Sequence, residues 1–236
     1  MKPTVAAVIK ELRALANPEK VDFKQKKFGV IAQNALGIYQ KDLKELAKEI
    51  GKNSALAKAL FETNIYEARL LCSKLFNPKD LTEDLMEKWV VTFENWEICD
   101  SFSMGVFARS PLAIPKAIEW STRTEEFEKR ASFATIAGYC MADKKAANST
   151  FEQFFPLLYQ AADDQRIYVK KAVNWALRSI GKRNVDLNKR AIEEAQKIKQ
   201  LEFKSAQWIA KDALKELEKE TVNILDYPRS IYRPKK

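Results

Sequence analysis

The chain has 236 residues, a net charge of +9 and no histidine, and 46% of its residues are hydrophobic. This hydrophobic content is enough for a buried core, and the length fits one or two ordinary domains. The missing histidine excludes histidine-based acid–base catalysis, so any catalysis must use carboxylates, aromatic rings and cations.

The three cysteines, Cys72, Cys99 and Cys140, each lie inside an apolar helical pattern. Three scattered thiols without a histidine do not favour a zinc site, so we interpret them as reduced core residues of a cytoplasmic protein and expect no metal and no cofactor. No stretch approaches the roughly 18 apolar residues of a membrane span. We therefore expect no membrane partner and no signal peptide.

The hydrophobic pattern is helical along almost the whole chain, and most of the 6 glycines and 8 prolines fall between helical stretches. The predicted helices span residues 4–16, 24–37, 41–51, 54–63, 65–76, 82–94, 96–108, 112–121, 124–140, 150–162, 165–181, 187–199 and 204–219. Thr82 is a candidate N-cap and Gly51 a candidate C-terminal stop. We predict an all-α protein in which residues 1–219 form a single domain and residues 220–236 form a basic C-terminal extension.

Three of these helices open with an aromatic residue that is followed three positions later by a cation. They begin Tyr66-Glu67-Ala68-Arg69, Phe127-Glu128-Lys129-Arg130 and Tyr168-Val169-Lys170-Lys171. Together with the helix that follows Asn95, they recur at intervals of 30, 31 and 41 residues, which is irregular for HEAT-type repeats but follows the same logic of stacked helix pairs. This interpretation predicts an α-solenoid with a concave basic groove. The residues expected along one wall are Arg69, Asp100, Arg130 and Lys171.

Trp96 and Asp100 are four positions apart, so a helix places them side by side on one face. Ile98, Phe102 and Val106 form an apolar stripe roughly opposite, which predicts that Trp96 and Asp100 face away from the core. At this point a buried packing role for the tryptophan and a structural ion pair for the aspartate both stay open.

Residues 165–204 contain eleven Lys or Arg and four Asp or Glu. On the predicted helix 165–181, the core stripe consists of Val169, Val173, Ala176 and Ile180. Lys171, Asn174 and Arg178 project from the opposite side, with Trp175 on their flank. The candidate phosphate-binding cations on this segment are Lys170, Lys171, Arg178, Lys182 and Arg183. A dense basic stripe favours a nucleic-acid partner, although a solvated basic surface also explains the charge. An aromatic face, a carboxylate and phosphate-binding cations together are suited to holding DNA around a positively charged, damaged base.

Three stretches carry a family resemblance: Asn95-Trp96-x-x-Cys99-Asp100, Lys129-Arg130-Ala131 and Val169-Lys170-Lys171-Ala172-Val173-Asn174-Trp175-Ala176-Leu177-Arg178. They are similar to the AlkD-type alkylpurine DNA glycosylases, the DNA alkylation repair enzymes built from HEAT-like repeats. The similarity extends from about residue 20 to residue 218. It implies an α-solenoid that holds duplex DNA in its concave basic face and removes cationic N3- and N7-alkylated purines.

The resemblance also implies roles for individual residues. The family's catalytic Trp and Asp fall on Trp96 and Asp100, its second active-site Trp on Trp175, and its DNA-contacting Arg on Arg130. Glu97 stands where relatives often carry Asp, and we expect it to lie outside the site. The implied protein is a monomer that acts on double-stranded DNA in the cytoplasm, at the nucleoid if the source is prokaryotic.

Alkylation makes the purine a cation and a good leaving group, so no acid is needed to protonate it. A fixed carboxylate, Asp100, would stabilise the positive charge that develops on the sugar. No lysine stands out as an imine-forming nucleophile, so we expect hydrolysis without strand cleavage. Two other classes stay open: a non-catalytic HEAT-like module that binds bent or branched DNA, and a protein-binding α-solenoid scaffold with little salt-dependent DNA affinity.

Overall fold

The computed structural model describes residues 3–219, and over that range the chain forms helices joined by short connections, with no strand. The all-α prediction is confirmed. The described chain divides into two compact units, one ending at Ser110 and the other beginning at Pro111. The predicted extension 220–236 lies outside the described residues, and the single-domain organisation of 1–219 stays a prediction. None of the described helices combines the length and apolar character that a membrane span requires.

The first unit has seven α-helices among its described residues. They are α1 (Val5–Ala14), α2 (Pro18–Phe28), α3 (Gln40–Ile50), α4 (Ser54–Phe61), α5 (Tyr66–Leu75), α6 (Glu83–Val90) and α7 (Trp96–Gly105). Two short 3₁₀ helices, Pro78–Asp80 and Phe107–Arg109, follow α5 and α7. Helix α6 begins where the sequence predicts a cap, at Thr82, whose hydroxyl accepts a hydrogen bond from the N–H of Leu85.

An aromatic core fixes the inner face of α7. Trp89 of α6 and Phe102 of α7 are fully buried, and their ring centroids are 5.0 Å apart. Phe76 packs edge-on against Trp89 at 5.0 Å, and Phe61 packs edge-on against Phe102 at 5.6 Å. Such aromatic pairs contribute about 0.5–1.5 kcal/mol each beyond the burial of their surface. Trp89 is therefore a packing residue of the first unit.

The predicted helix over 24–37 is wrong, because α2 ends at Phe28 and residues 29–39 form an irregular segment. Gly29 caps α2 in the left-handed conformation, with a φ angle of 65°. Asn34 is also left-handed, with a φ angle of 52°. A right-handed helix cannot continue through left-handed residues, so this stretch is not helical despite its apolar periodicity.

A buried carboxylate on α5 organises the irregular segment. Glu67 is fully buried and accepts three backbone hydrogen bonds at 2.7, 2.9 and 3.2 Å, from the N–H groups of Leu36, Gly37 and Ile38. These donors have no helical partner, so the carboxylate satisfies backbone groups that would otherwise be buried without a hydrogen bond. The conformation of the segment therefore depends on a residue about thirty positions further along the chain.

The second unit has seven α-helices among its described residues. They are α8 (Ala113–Trp120), α9 (Glu126–Ala142), α10 (Asn148–Glu152), α11 (Phe155–Gln160), α12 (Ile167–Gly181), α13 (Val185–Lys199) and α14 (Lys204–Leu217). The predicted helix 150–162 is therefore wrong: it is divided between α10, α11 and a 3₁₀ helix at Ala161–Asp163. Pro156 explains the break, because it has no N–H to donate to the carbonyl four residues earlier.

Helix α12 is the centre of the second unit's core and packs against α9, α13 and α14. Its predicted apolar stripe is fully buried and consists of Val169, Val173, Ala176 and Ile180. At its last residue, Gly181, an added Cβ would lie 2.7 Å from Leu217 Cδ2 and 2.9 Å from Ala191 Cβ. Small residues thus allow the three C-terminal helices to approach closely.

We expect Gly37→Ala to lower the melting temperature more than Gly51→Ala does. Both glycines have positive φ angles, 77° and 74°. An alanine Cβ at Gly37 would lie 2.0 Å from the carbonyl oxygen of Asn17, whereas nothing lies within 4 Å at Gly51. Both variants carry backbone strain of roughly 1–3 kcal/mol, and only Gly37→Ala adds a clash with backbone.

Thermal unfolding followed by circular dichroism measures the difference, which we expect to be at least about 4 °C for a chain of this size. Equal melting temperatures for the two variants would contradict the close approach of residues 17 and 37.

Candidate functional site on helix α7

Trp96 and Asp100 lie on the face of α7 that points away from the aromatic core. Both side chains are half-buried, whereas Ile98 and Phe102 are fully buried on the inner face. Asn95 caps the start of the helix, because its side-chain oxygen accepts hydrogen bonds from the N–H groups of Glu97 and Ile98 at 2.9 and 3.2 Å. The predicted orientation of this helix is confirmed.

A cavity of about 770 Å³ opens beside this face, entirely within the first unit. Helix α7 contributes Trp96, Glu97 and Asp100 to its wall. Helices α3 and α5 contribute Lys44 and Lys74. The structure thus brings the expected aromatic ring and carboxylate together at one cavity and adds cations that the sequence motifs do not include.

The indole of Trp96 is held by the end of α2. Its Nε1 donates a hydrogen bond of 2.9 Å to the carbonyl oxygen of Phe28, the last residue of that helix. The left-handed Gly29 that follows ends the helix and leaves this carbonyl available to a side chain. The break in the predicted helix 24–37 therefore has a consequence at the site, since it supplies the acceptor that orients the ring.

Glu97 was expected outside the site, and this expectation is wrong. Its side chain is 8% exposed and lines the cavity. Lys24 of α2 lies 2.7 Å from Oε2, Gln40 of α3 donates to Oε1 at 3.1 Å, and the hydroxyl of Tyr66 lies 3.0 Å from Oε2. Burial, together with the neighbouring Glu97 carboxylate, raises the pKa of Tyr66 well above its ordinary value. One carboxylate therefore joins α2, α3 and α5 to α7.

Four cations line the cavity, and sequence reasoning identified none of them. They are Lys44, Lys52, Lys74 and Arg109. Each comes from a different part of the first unit, so no spacing in the sequence links them. Burial and the neighbouring charge of Lys44 lower the pKa of Lys74 to about 8. The four cations can be recognised as a group only because they line the same cavity.

In the second unit, α12 presents Trp175 half-buried and Lys171 exposed. Lys170 lies over the ring of Trp208, with its Nζ 5.4 Å from the ring centroid. Trp208 itself is 37% exposed. Asn174 does not project with Lys171 as expected, because it is buried and donates a hydrogen bond to Asp212 at 2.7 Å.

Four of the expected DNA contacts are buried, and acceptors within the protein bind their charged ends. Arg69 donates to Glu94 and to the carbonyl of Thr92, both at 2.8 Å, and Arg130 donates to the carbonyl of Tyr168 at 2.6 Å. Arg69 is 7% exposed and Arg130 is 6% exposed. A buried cation that already donates to its own chain has little exposed surface, and the contact of both residues with a phosphate backbone stays a prediction.

Lys182 and Arg183 at the end of α12 are also buried and bound within the protein. Lys182 is 8% exposed and lies 2.8 Å from a Glu216 oxygen, while Arg183 is 5% exposed and donates to the carbonyl of Cys140. Arg178 is more exposed but also pairs with Glu216, at 2.6 Å. Burial alone would raise the pKa of Glu216, but Lys182 and Arg178 together lower it below its ordinary value.

The cysteine thiols are all buried and free of disulfides, as expected for reduced core residues. Burial raises the pKa of Cys140 to about 12, which removes it as a nucleophile at neutral pH. Among residues 3–219, no group of three or more carboxylates and thiols is arranged to hold a metal ion.

The sequence matches the model of the DNA alkylation repair enzymes over residues 8–217, so the chain belongs to that family. Among curated proteins, none matches it significantly.

Two solved structures have a similar fold. One is described as a new family of proteins related to the HEAT-like repeat DNA glycosylases, with affinity for branched DNA structures. It has a TM-score of 0.73 and 20% identity, covering 90% of this chain and 95% of that chain. The other is AlkD2 from Streptococcus mutans, with a TM-score of 0.58 and 19% identity, covering 85% and 99% of the two chains. The predicted HEAT-like repeat fold is confirmed, and its basic groove stays a prediction.

We expect Glu97→Ala to reduce the free energy of unfolding by roughly 3 kcal/mol, because it leaves the buried Lys24 ammonium without its carboxylate. The variant also removes the acceptor for Gln40 and a partner of the Tyr66 hydroxyl. Chemical denaturation, followed by circular dichroism, measures this loss.

The matched control is Glu62→Ala, which removes one partner of the Glu62–Lys88 ion pair on the surface. Those side chains are 57% and 59% exposed, so the expected change is within about 1 kcal/mol. If Glu97→Ala lowers the free energy of unfolding no more than Glu62→Ala does, the result contradicts the idea that the contacts of Glu97 hold the helices together.

Proposed function

We propose that the protein is a DNA glycosylase that hydrolyses the N-glycosidic bond of cationic N3- or N7-alkylated purines in duplex DNA. The observation that carries the proposal is the pairing of Trp96 and Asp100 on one half-buried face beside an open cavity. Membership of the DNA alkylation repair enzymes makes damaged DNA the first substrate to consider.

Asp100 has the catalytic role in this proposal. When the bond to a cationic purine breaks, the deoxyribose develops positive charge. A carboxylate fixed on a rigid helix stabilises that charge without reorganising, and it also orients the attacking water. The leaving base is already positively charged, so the step needs no proton donor, in agreement with a chain that has no histidine.

Trp96 binds the cationic nucleotide through its ring face, and the active-site role that the resemblance implies for Trp175 stays a prediction. A cation over an indole ring gains about 0.5–2 kcal/mol, depending on how far it is desolvated. The hydrogen bond from Trp96 to the carbonyl of Phe28 holds its ring in one orientation, which lowers the entropy lost on binding. No covalent intermediate is part of this mechanism, and the product is an intact strand with an abasic site.

Phosphate contacts on α12 come from Lys170, Lys171 and Arg178, the expected cations that keep some exposure. Lysine and arginine contacts to phosphate release counterions and give affinity that depends on salt but not on sequence. The buried cations Arg69 and Arg130 also fix the positions of α5 and α9, each within its own unit, through hydrogen bonds to the protein.

The second candidate is a DNA-binding module without glycosylase activity. The similar structure of the family with affinity for branched DNA favours it. That function needs the exposed cations but not the Asp100 carboxylate, so a variant of this residue separates the two candidates.

Asp100→Asn should slow base release by about 100-fold or more, because it removes the negative charge that stabilises the sugar cation. The measurement is release of free N7-methylguanine from a duplex with one such base, under single-turnover conditions. DNA affinity should stay within a few-fold of the wild type.

Asp84→Asn, on the exposed surface of α6, makes the same change outside the cavity and should leave the rate unchanged. Equal rates for Asp100→Asn and the wild type would remove Asp100 from the mechanism. Tight DNA binding without release by the wild type, on both N7-methylguanine and N3-methyladenine duplexes, would favour the DNA-binding module.

Lys171→Glu should weaken binding of damaged and intact duplex to the same extent, because phosphate contacts carry no information about the base. The slope of log affinity against log salt should fall by about 1 for the lost contact. Fluorescence anisotropy over a salt series measures both quantities.

Lys145→Glu, an exposed lysine between α9 and α10, is the control for the change in net charge. A loss of affinity for the damaged duplex alone would contradict a phosphate role for Lys171.

A further inference from the structure

The cation cluster of the α7 cavity is defined as Lys44, Lys52, Lys74 and Arg109. These four cations outnumber the carboxylates on the cavity wall. The carboxylates on the same wall are Glu97 and Asp100. Glu97 is already bound by Lys24 at 2.7 Å. Four cations therefore share the cavity wall with two carboxylates, and one of these, Glu97, is already paired within the protein.

Two members of the cluster are held in place by backbone carbonyls. The ammonium of Lys52 donates to the carbonyls of Lys74 and Phe76, both at 2.9 Å, at the C-terminal end of α5. The Nε of Arg109 donates to the carbonyl of Met104 at 3.2 Å. An ammonium has three donors and a guanidinium has five, so each side chain keeps donors for a further acceptor.

The other two members repel each other. Lys74 is half-buried on α5 and Lys44 is exposed on α3, and within residues 3–219 neither forms an ion pair. Burial and the charge of Lys44 lower the pKa of Lys74 to about 8, while Glu97 opposes this change. Burial and Arg109 likewise lower the pKa of Lys52. The cluster is therefore under electrostatic strain that a bound anion would relieve.

We propose that this cluster binds a phosphate group of the lesion strand, next to the nucleotide whose sugar lies at Asp100. The inference rests on the proposed function, which supplies the DNA. It adds a second phosphate site that is separate from the cations of α12. Such a cluster binds most strongly an anion that accepts hydrogen bonds from several of its charged side chains at once.

A phosphodiester fits the cavity better than a small free anion. The volume of about 770 Å³ exceeds what one phosphate fills and leaves room for the attached sugars. Trp96 and Asp100 line the same cavity, so the phosphate and the reacting sugar of one strand can occupy it together. The cluster then positions the sugar against Asp100 as well as adding affinity.

The site makes DNA affinity depend on pH. Bound phosphate raises the pKa of Lys74 above its value in the free protein. The contribution of Lys74 is therefore complete below about pH 8 and is lost as the pH rises through the higher value of the complex. Lys44, Lys52, Arg109, Glu97 and Asp100 are the charged groups that share this environment.

The test compares Lys74→Met with the wild type in binding to intact and N7-methylguanine duplexes. We expect the slope of log affinity against log salt to fall by about 1, and the loss of wild-type affinity between pH 7 and pH 9.5 to become smaller in the variant. Lys44→Gln, at an exposed position, should lower the slope similarly. Lys10→Met, an exposed lysine of α1 outside the cavity, should match the wild type.

The outcomes separate this inference from the proposed function. Base release by the wild type, with unchanged slopes for both cluster variants, would overturn the phosphate site and keep the glycosylase. Lower slopes without base release would keep the phosphate site and overturn the glycosylase. Absence of DNA binding by the wild type would overturn both.

Two further measurements distinguish other ligands and roles. Inorganic phosphate, added at constant ionic strength, should leave DNA affinity unchanged. Competition that Lys74→Met abolishes would assign the cluster to free phosphate. Borohydride treatment with an abasic duplex should give no covalent complex. A complex formed by the wild type but not by Lys74→Met would make Lys74 an imine-forming nucleophile and overturn its role as a phosphate ligand.

Discussion

The structure of the first unit depends on one buried carboxylate. Glu97 has partners on three other helices, so its negative charge stays buried only if those helices keep their positions. Removing any partner leaves an unsatisfied polar group or charge in the interior, which costs more than the contact contributes when intact. The adjacent Trp96 and the nearby Asp100 are therefore held at a defined position on the cavity wall.

Glu67 acts on the irregular segment after α2 in the same way that Glu97 acts on the helices. It binds three consecutive N–H groups, and the turn at Gly29 leaves the carbonyl of Phe28 to accept from Trp96. Glu67 and Glu97 thus help to set the position of the aromatic ring. In the proposed reaction the substrate brings the positive charge, so the protein needs a well-placed anion and ring more than an acid.

The net charge of +9 gives an incomplete description of the electrostatic surface. Arg69, Arg130, Lys182 and Arg183 are buried and donate to acceptors of the same unit. Their charge stabilises helix packing, whereas Lys171 of α12 is exposed and the cluster in the α7 cavity lines an open cavity. Counting the cations in a segment therefore does not tell how many of them are exposed.

The sequence alone determined the features that depend on neighbours in the chain. Helical periodicity gave the class of fold and the inner stripes of α7 and α12, and the spacing of Trp96 and Asp100 placed them on one face. The tertiary structure decided what depends on residues far apart in the chain. Left-handed residues and Glu67 end the predicted helix 24–37, and Glu97 lines the site. Four cations share one cavity although no motif links them, because burial and charge pairing are set by distance in space.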